Sequence, residues 1–383
     1  MDFSKIFIKN ANPTKMGGQA VMEGIMMKGA DRTAIAVRRE DGTINVKEQP
    51  IPPKSKWAKI PFIRGVVVFV DSLITGTKTL MYSAEVLEED IPTDQQEEMS
   101  KFDKWLLDKF GEKGFFNILL YSSVVLALAF SIGLFVLLPT WIVGIFGKVV
   151  ESAIALNLIE GGMRIIMFVI YVLAISKMND IKRVFQYHGA EHRTIHCFEN
   201  GLELTPENCM SFESLHPRCG TSFLVFVMII SLLLFSFLGW PSVWVRLLSR
   251  LILIPVVAGI SFEVLKWAGS TDNLLVKILS VPGLYMQKLT TKDPDRSMIE
   301  VAIVAVKACL SDEPPAVRIY DVDSDGNRID RQKMKSEQAK EKAASEKTDA
   351  DLMSFAAADD LFKVKPISTE EEPAIDVQSP EQE

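Results

Sequence analysis

Four apolar stretches limit what this chain can become. Phe115 to Leu138 and Ser222 to Trp240 carry almost no charge, and each is long enough to cross a bilayer as a helix, which takes about 20 apolar residues. Gly162 to Ile175 is shorter but continues backwards through Ala153 to Ile159. Val243 to Trp267 is long, with Arg246, Arg250, Glu263 and Lys266 near its ends and an uncharged middle. Trp141, Trp240, Trp244 and Trp267 sit near the ends of these stretches, as interfacial tryptophans do. A hydrophobic content of 48% and a mean hydropathy of +0.18 agree. The expected fold is mainly α: a polytopic membrane helix bundle of about four spans plus amphipathic helices.

A small β element is expected before the bundle, in residues 1–60. Thr33 to Glu48 alternates like a hairpin around Asp41-Gly42, which carries the type I′ turn signal. Pro61 to Ala84 is helical in period but holds Arg64, Asp71 and Lys78, so it is expected to pack beside the bundle or in the interface. The membrane domain then runs over 61–310, with a histidine- and cysteine-bearing loop at 178–221. Asn273 to Thr290 reads as amphipathic and broken at Pro282-Gly283. Ser297 to Leu310 reads as a last amphipathic helix, with Cys309 as a small buried group.

The net charge of −7 misleads if read over the whole chain. Residues 311–383 hold 19 acidic and 10 basic side chains, so the rest is close to neutral. This segment is expected to be a disordered acidic tail. It contains Asp321-Val-Asp323-Ser-Asp325-Gly326, which opens like a calcium loop, but Gln332 stands where a bidentate Glu is needed, so calcium is not expected. No basic, aromatic-interleaved surface suggests nucleic acid. The first thirty residues show no continuous apolar core of a signal peptide. The N-terminus is therefore expected in the cytoplasm, and cysteines facing that side are expected to stay reduced.

Loop charges set the expected orientation. The stretch 139–162 holds Lys148 as its single Lys or Arg between spans, whereas 176–221 holds Lys177, Lys182, Arg183, Arg193 and Arg218. Positive loops stay inside, so the site loop and both termini are expected on the cytoplasmic side of a bacterial inner membrane. The expected partners are the lipid bilayer, an unidentified substrate and a second copy of the chain in a homo-oligomer.

All four histidines lie between His188 and His216. His188, Glu191, His192 and His196 follow helical spacing, so they share a face. His188-Gly-Ala-Glu191-His192 matches H-x-x-E-H, in which two imidazoles hold zinc and the glutamate accepts a proton. His216-Pro-Arg-Cys219 adds two ligands at zinc-knuckle spacing. Two schemes compete. In an open site, His188, His192 and one of His216, Cys219, Glu23 or Glu263 hold the metal, and Glu191 is the general base. In a closed structural site, His188, His192, His216 and Cys219 complete a tetrahedron. His196 is an outer candidate, and Arg218 or Arg193 would orient an anionic group. The cofactor is Zn2+ or another divalent transition metal.

The blocks G-G-Q-A-V-M-E-G at 17–24, Y-H-G-A-E-H-R at 187–193 and H-P-R-C-G-T-S-F at 216–223 resemble the YqhQ-like bacterial membrane proteins (domain of unknown function 1385). The resemblance covers roughly residues 15–310. It implies a metal-dependent enzyme without an established reaction, and points to Glu23, His188, Glu191, His192, His216 and Cys219. Arg193 stands where the family often has lysine, and His196 lies outside its pattern.

Overall fold

The structure is a computed structural model that describes residues 14, 16–53, 56–89, 100–146, 150–217, 219–270 and 274–330. The first compact unit ends at Arg328. The expected tail beyond 330 and Arg218 lie outside the described residues.

The N-terminal part is a sheet, larger than the expected hairpin. Strands β1 (Gly17–Val21), β2 (Gly24–Lys28), β3 (Arg32–Arg38) and β4 (Ile44–Pro50) are antiparallel neighbours in chain order. The expected β3–β4 hairpin is present, with Ala36 opposite Val46. Its turn is not the two-residue I′ type, which needs positive φ at both central residues. Gly42 has φ 84, Asp41 is not left-handed, and a five-residue loop is closed by Arg39 N–H donating to Thr43 O at 2.9 Å. The glycine-rich block 17–24 is the β1–β2 hairpin, turning at Met22-Glu23 with Glu23 at φ 47.

The helices follow. They are α1 (Ile63–Glu88), α2 (Lys101–Ile132, bent at Gly111), α3 (Leu138–Phe146), α4 (Ala153–Ile175), α5 (Asn179–Glu199), α6 (Pro206–Met210), α7 (Thr221–Ser236), α8 (Val243–Ser270), α9 (Leu274–Thr290) and α10 (Arg296–Cys309). Strand β5 (Arg318–Val322) then joins β4, with Tyr320 opposite Val46. The acidic segment is therefore ordered from 318 to 322, and disorder from Ser311 is corrected. The calcium-like run is a turn within the chain: Asp323 accepts from the Asp325 and Asn327 amides at 3.0 and 2.8 Å.

Both faces of the sheet are covered, which explains why β3 is apolar on both sides. On one face, Ile25, Met27, Ala34, Ala36 and Val46 pack with α10 and with Tyr187, Ala190 and Ile195 of α5. On the other, Met26, Ile35 and Val37 pack with Tyr82 and Val86 of α1. Helix α10 is buried along nearly its whole length, from Met298 to Cys309. Each such Val, Ile or Met contributes about 1.5–3 kcal/mol by leaving water. The β element is thus the floor on which α5 rests, and the expected boundary at residue 60 does not separate two bodies.

Among the described residues, three helices are long and apolar enough to cross a membrane: Tyr121–Phe146, Ala153–Ile175 and Val243–Trp267. The fourth expected span is shorter than the sequence suggests, because α7 ends at Ser236 after 16 residues. Helix α9 is continuous through Pro282. Packing holds it there: a Cβ on Gly283 would lie 2.5 Å from Ser222 Oγ, and Leu284, Met286 and Gln287 are buried.

Candidate functional site

The first half of the expected loop 178–221 is helix α5. Its stripe of His188, Glu191, His192, His196 and Glu199 faces inward, and the last four are buried. Ser214, Leu215 and Cys219 lie against this stripe, and α9 ends beside it at Thr290.

Backbone carbonyls aim the two motif histidines. His188 Nδ1–H donates to Thr290 O at 2.8 Å, and His192 Nδ1–H donates to Ser214 O at 2.7 Å. A carbonyl only accepts, so each Nδ1 carries a proton and each Nε2 is turned to the ligand side. The rings meet edge to face, 4.5 Å between centroids. Cys219 Sγ is 3.2 Å from His188 Nε2. Ligand atoms of His188, His192 and Cys219 all lie within 4.8 Å of one another. Tetrahedral zinc with these donors needs separations of about 3.3–3.8 Å, so a contraction of about 1 Å would close them on an ion.

The charges explain why these groups sit together. Cys219 stands two residues before the start of α7, near its positive end, and its Sγ accepts the Thr221 N–H at 3.4 Å. Burial would raise the Cys219 thiol, but the charges of His192 and His188 and their hydrogen bonds hold it well below its usual range. Burial would depress His188, yet the Cys219 thiolate outweighs it and raises the imidazolium to about 9. Burial pushes the Glu191 carboxyl up, against His188, His192 and the Gly18 amide. Glu191 Oε1 accepts that Gly18 N–H at 2.9 Å. Its Oε2 and His192 Nε2 are buried with no hydrogen-bond partner.

Two glycines allow this assembly. A Cβ on Gly18 would lie 2.8 Å from Glu191 Cδ, so β1 can pass the carboxylate only as bare backbone. A Cβ on Gly189 would lie 2.1 Å from Lys292 O, and that strand of chain carries the Thr290 carbonyl.

The other expected site residues are elsewhere. Glu23 is paired with Arg183 and accepts from Tyr187 Oη at 3.3 Å, on the opposite side of His188 from Glu191 and His192 in the α5 sequence. Glu263 is paired with Arg64, whose Nε donates at 2.6 Å. Both carboxylates are held by arginine, and neither is brought into the group of His188, His192 and Cys219. His216 borders the cluster, with its ring 5.6 Å from His192 and 4.6 Å from His196. Its Nε2 lies 3.6 Å from Glu199 Oε2, and its backbone is clamped by Gln287 through bonds of 3.0 and 2.9 Å. His216 is therefore not within the three-ligand group. His196 donates through Nε2 to Leu215 O at 2.9 Å. Arg193 bridges Asp293 at 2.5 Å, Ser214 Oγ at 2.9 Å and Met210 O at 3.0 Å. It braces the segment that aims His192.

Sequence reasoning missed Thr290, Ser214, Gln287 and Glu199. Glu199 had a signal, standing three residues after His196 on the same stripe. The carbonyls of Thr290 and Ser214 had none.

Residues 60–312 match the family model described as "Protein of unknown function (DUF1385)". The chain is 36% identical over 310 residues to "Uncharacterized protein YqhQ" of Bacillus subtilis (strain 168), which covers 79% of this chain and 94% of that protein. No solved structure matches.

Proposed function

The chain belongs to the DUF1385 family, and we propose that it is a membrane-bound, zinc-dependent hydrolase with its site on the cytoplasmic face of a bacterial inner membrane. One observation carries this reading. Two imidazoles and a thiolate converge within 4.8 Å, beside a buried carboxylate with one oxygen uncommitted. Three protein ligands with a position left open is the catalytic pattern, whereas structural zinc takes four. A structural site also has no use for Glu191.

His188, His192 and Cys219 would hold the zinc, which would supply Lewis acidity to polarise a carbonyl or phosphoryl oxygen and make water acidic enough to react near neutral pH. The protein's own groups do the rest. Glu191 is the general base: Gly18 fixes Oε1, so Oε2 receives the proton. Its raised carboxyl suits a group that must release that proton again. Thr290 and Ser214 keep both imidazoles in one tautomer. The orientation rests on Lys177, Lys182, Arg183 and Arg193 around the site. With the site inside, the expected four crossings use α7 as the short fourth span beside the three longer ones.

The alternative is a non-enzymatic membrane assembly or scaffold protein with a structural zinc. His216 is the fourth ligand that reading needs, and its ring is one side chain away from His192.

Metal analysis of purified protein, paired with complementation of a deletion strain, tests both. The wild type is expected to hold about one zinc per chain and His192→Ala to lose it. Glu191→Gln is expected to keep zinc and fail to complement. Full complementation by Glu191→Gln with zinc retained leaves the scaffold reading. A wild type without metal removes both.

A further inference from the structure

A second buried polar cluster lies where α4 begins, α7 ends and α8 begins. Its only carboxylate among the described residues is Glu160, 1% exposed. Glu160 is saturated. Its Oε1 accepts from Thr140 Oγ1 at 2.7 Å, from Arg164 Nη2 at 3.0 Å and from Arg250 Nη1, and its Oε2 accepts from Arg250 Nη2 at 2.7 Å. Asn157 accepts from Arg250 at 3.2 Å and donates to Leu238 O at 2.7 Å.

Arg246 stands one turn before Arg250 on the same face of α8. It is 3% exposed, and its Nε and Nη1 are buried with no hydrogen-bond acceptor. Its guanidinium lies over the Trp240 ring, 3.8 Å from the centroid. That contact offsets part of its charge and satisfies none of its N–H groups. Three arginines against one glutamate leave this cluster two positive charges in excess. A buried cation without a counter-charge is costly, and guanidinium N–H groups recognise phosphate as a fork.

The surroundings give the depth. Trp141 and Trp244 at this end are 68% and 79% exposed, as in the aromatic belt at headgroup level. Helix α7 runs from Thr221 by the histidine site to Ser236 here, which puts the two clusters about 24 Å apart along it.

We propose that Arg246, with Arg164 and Arg250 behind it, binds a phosphate group, supplied by the headgroup of an anionic lipid in the leaflet opposite the histidine site. The phosphate completes the hydrogen bonds of Arg246, and the lipid chains lie against the bundle. This site is independent of the metal reading.

The test titrates detergent-solubilised full-length protein with phosphatidylglycerol, phosphatidylcholine and inorganic phosphate, and follows thermal unfolding. Phosphatidylglycerol is expected to raise the midpoint and phosphatidylcholine to leave it unchanged. Arg246→Gln is expected to weaken the effect at least about tenfold, with monodispersity in size-exclusion chromatography reporting its fold. Should that variant aggregate, Arg246→Lys keeps the charge and loses the fork, and is expected to bind more weakly than wild type. Stabilisation by inorganic phosphate alone, lost in the variant, supports the site and assigns its ligand as a free anion. An equal response in wild type and a folded variant, or no response of the wild type to either phosphate source, overturns it.

Discussion

The two ends of α7 hold buried polar clusters that are short of opposite charges. At the start, His188, His192 and Cys219 turn two imidazoles and a thiolate toward one point, with the Glu191 carboxylate beside them. Both Nδ1 donors are used up on backbone carbonyls, and once His188 gives up its Nε2 proton what faces the centre are lone pairs. At the other end Glu160 is saturated and what remains are N–H groups on Arg246. One cluster is left with acceptors that suit a cation, the other with donors that suit an anion. Burial alone does not say what a polar cluster is for; the sign of what is left over does.

The contrast breaks first at Glu160. Glu160→Gln leaves Arg250 and Arg164 without their counter-charge, and is expected to cost about 3–5 kcal/mol in a detergent melt while leaving zinc content per folded chain unchanged. A loss of zinc in that variant would join the two clusters into one system.

The histidine end has its own pH signature. Cys219 is already a thiolate, so it contributes little slope, but His188 must lose its proton to bind a metal. With His188 raised to about 9, apparent zinc affinity is expected to rise about tenfold per pH unit between pH 7 and 9 and then level. Isothermal titration with a zinc-buffering chelator measures this. Levelling near the ordinary histidine value would mean that the thiolate does not hold that proton.

Gly189→Ala is expected to cost about 1–3 kcal/mol and to weaken zinc binding, because its Cβ would displace the Lys292 backbone and with it the carbonyl on His188. Arg193→Gln is milder. It loosens Ser214 without touching a ligand, and zinc affinity should fall by about tenfold. Glu23→Gln is the smallest: it breaks a half-exposed pair with Arg183, worth about 0–1 kcal/mol, with no change in zinc affinity. A large zinc effect there would return Glu23 to the site.

The sequence showed most where side-chain period does the work. The β3–β4 hairpin, α1, α10 and the stripe on α5 each announce themselves by spacing. So did the site's core, because the residues at 188, 191 and 192 are fixed on one helix face. Elsewhere contacts decided the outcome. The β1–β2 hairpin has too many small residues to read as strands, and it forms because β3 and the close approach to Glu191 accept bare backbone. Strand β5 hides in an acidic segment, where Asp321 pairs with Asn45 at 2.9 Å across the sheet. Helix α9 passes Pro282 because its far face is packed. Glu23 and Glu263 attracted attention as carboxylates without visible partners; Arg183 and Arg64, 160 and 199 residues away in the chain, are those partners. The anchors of His188 and His192 are carbonyl oxygens, which no residue type encodes.

The most direct measurement is zinc K-edge X-ray absorption on the purified wild type and on Cys219→Ser. The proposed centre predicts one sulfur at about 2.3 Å, two imidazole nitrogens at about 2.0–2.1 Å and one further light atom that is not imidazole, with the sulfur lost in the variant. A third imidazole would mean a closed site completed by His216. A shell without sulfur, or a protein that takes up no zinc, would contradict the centre altogether.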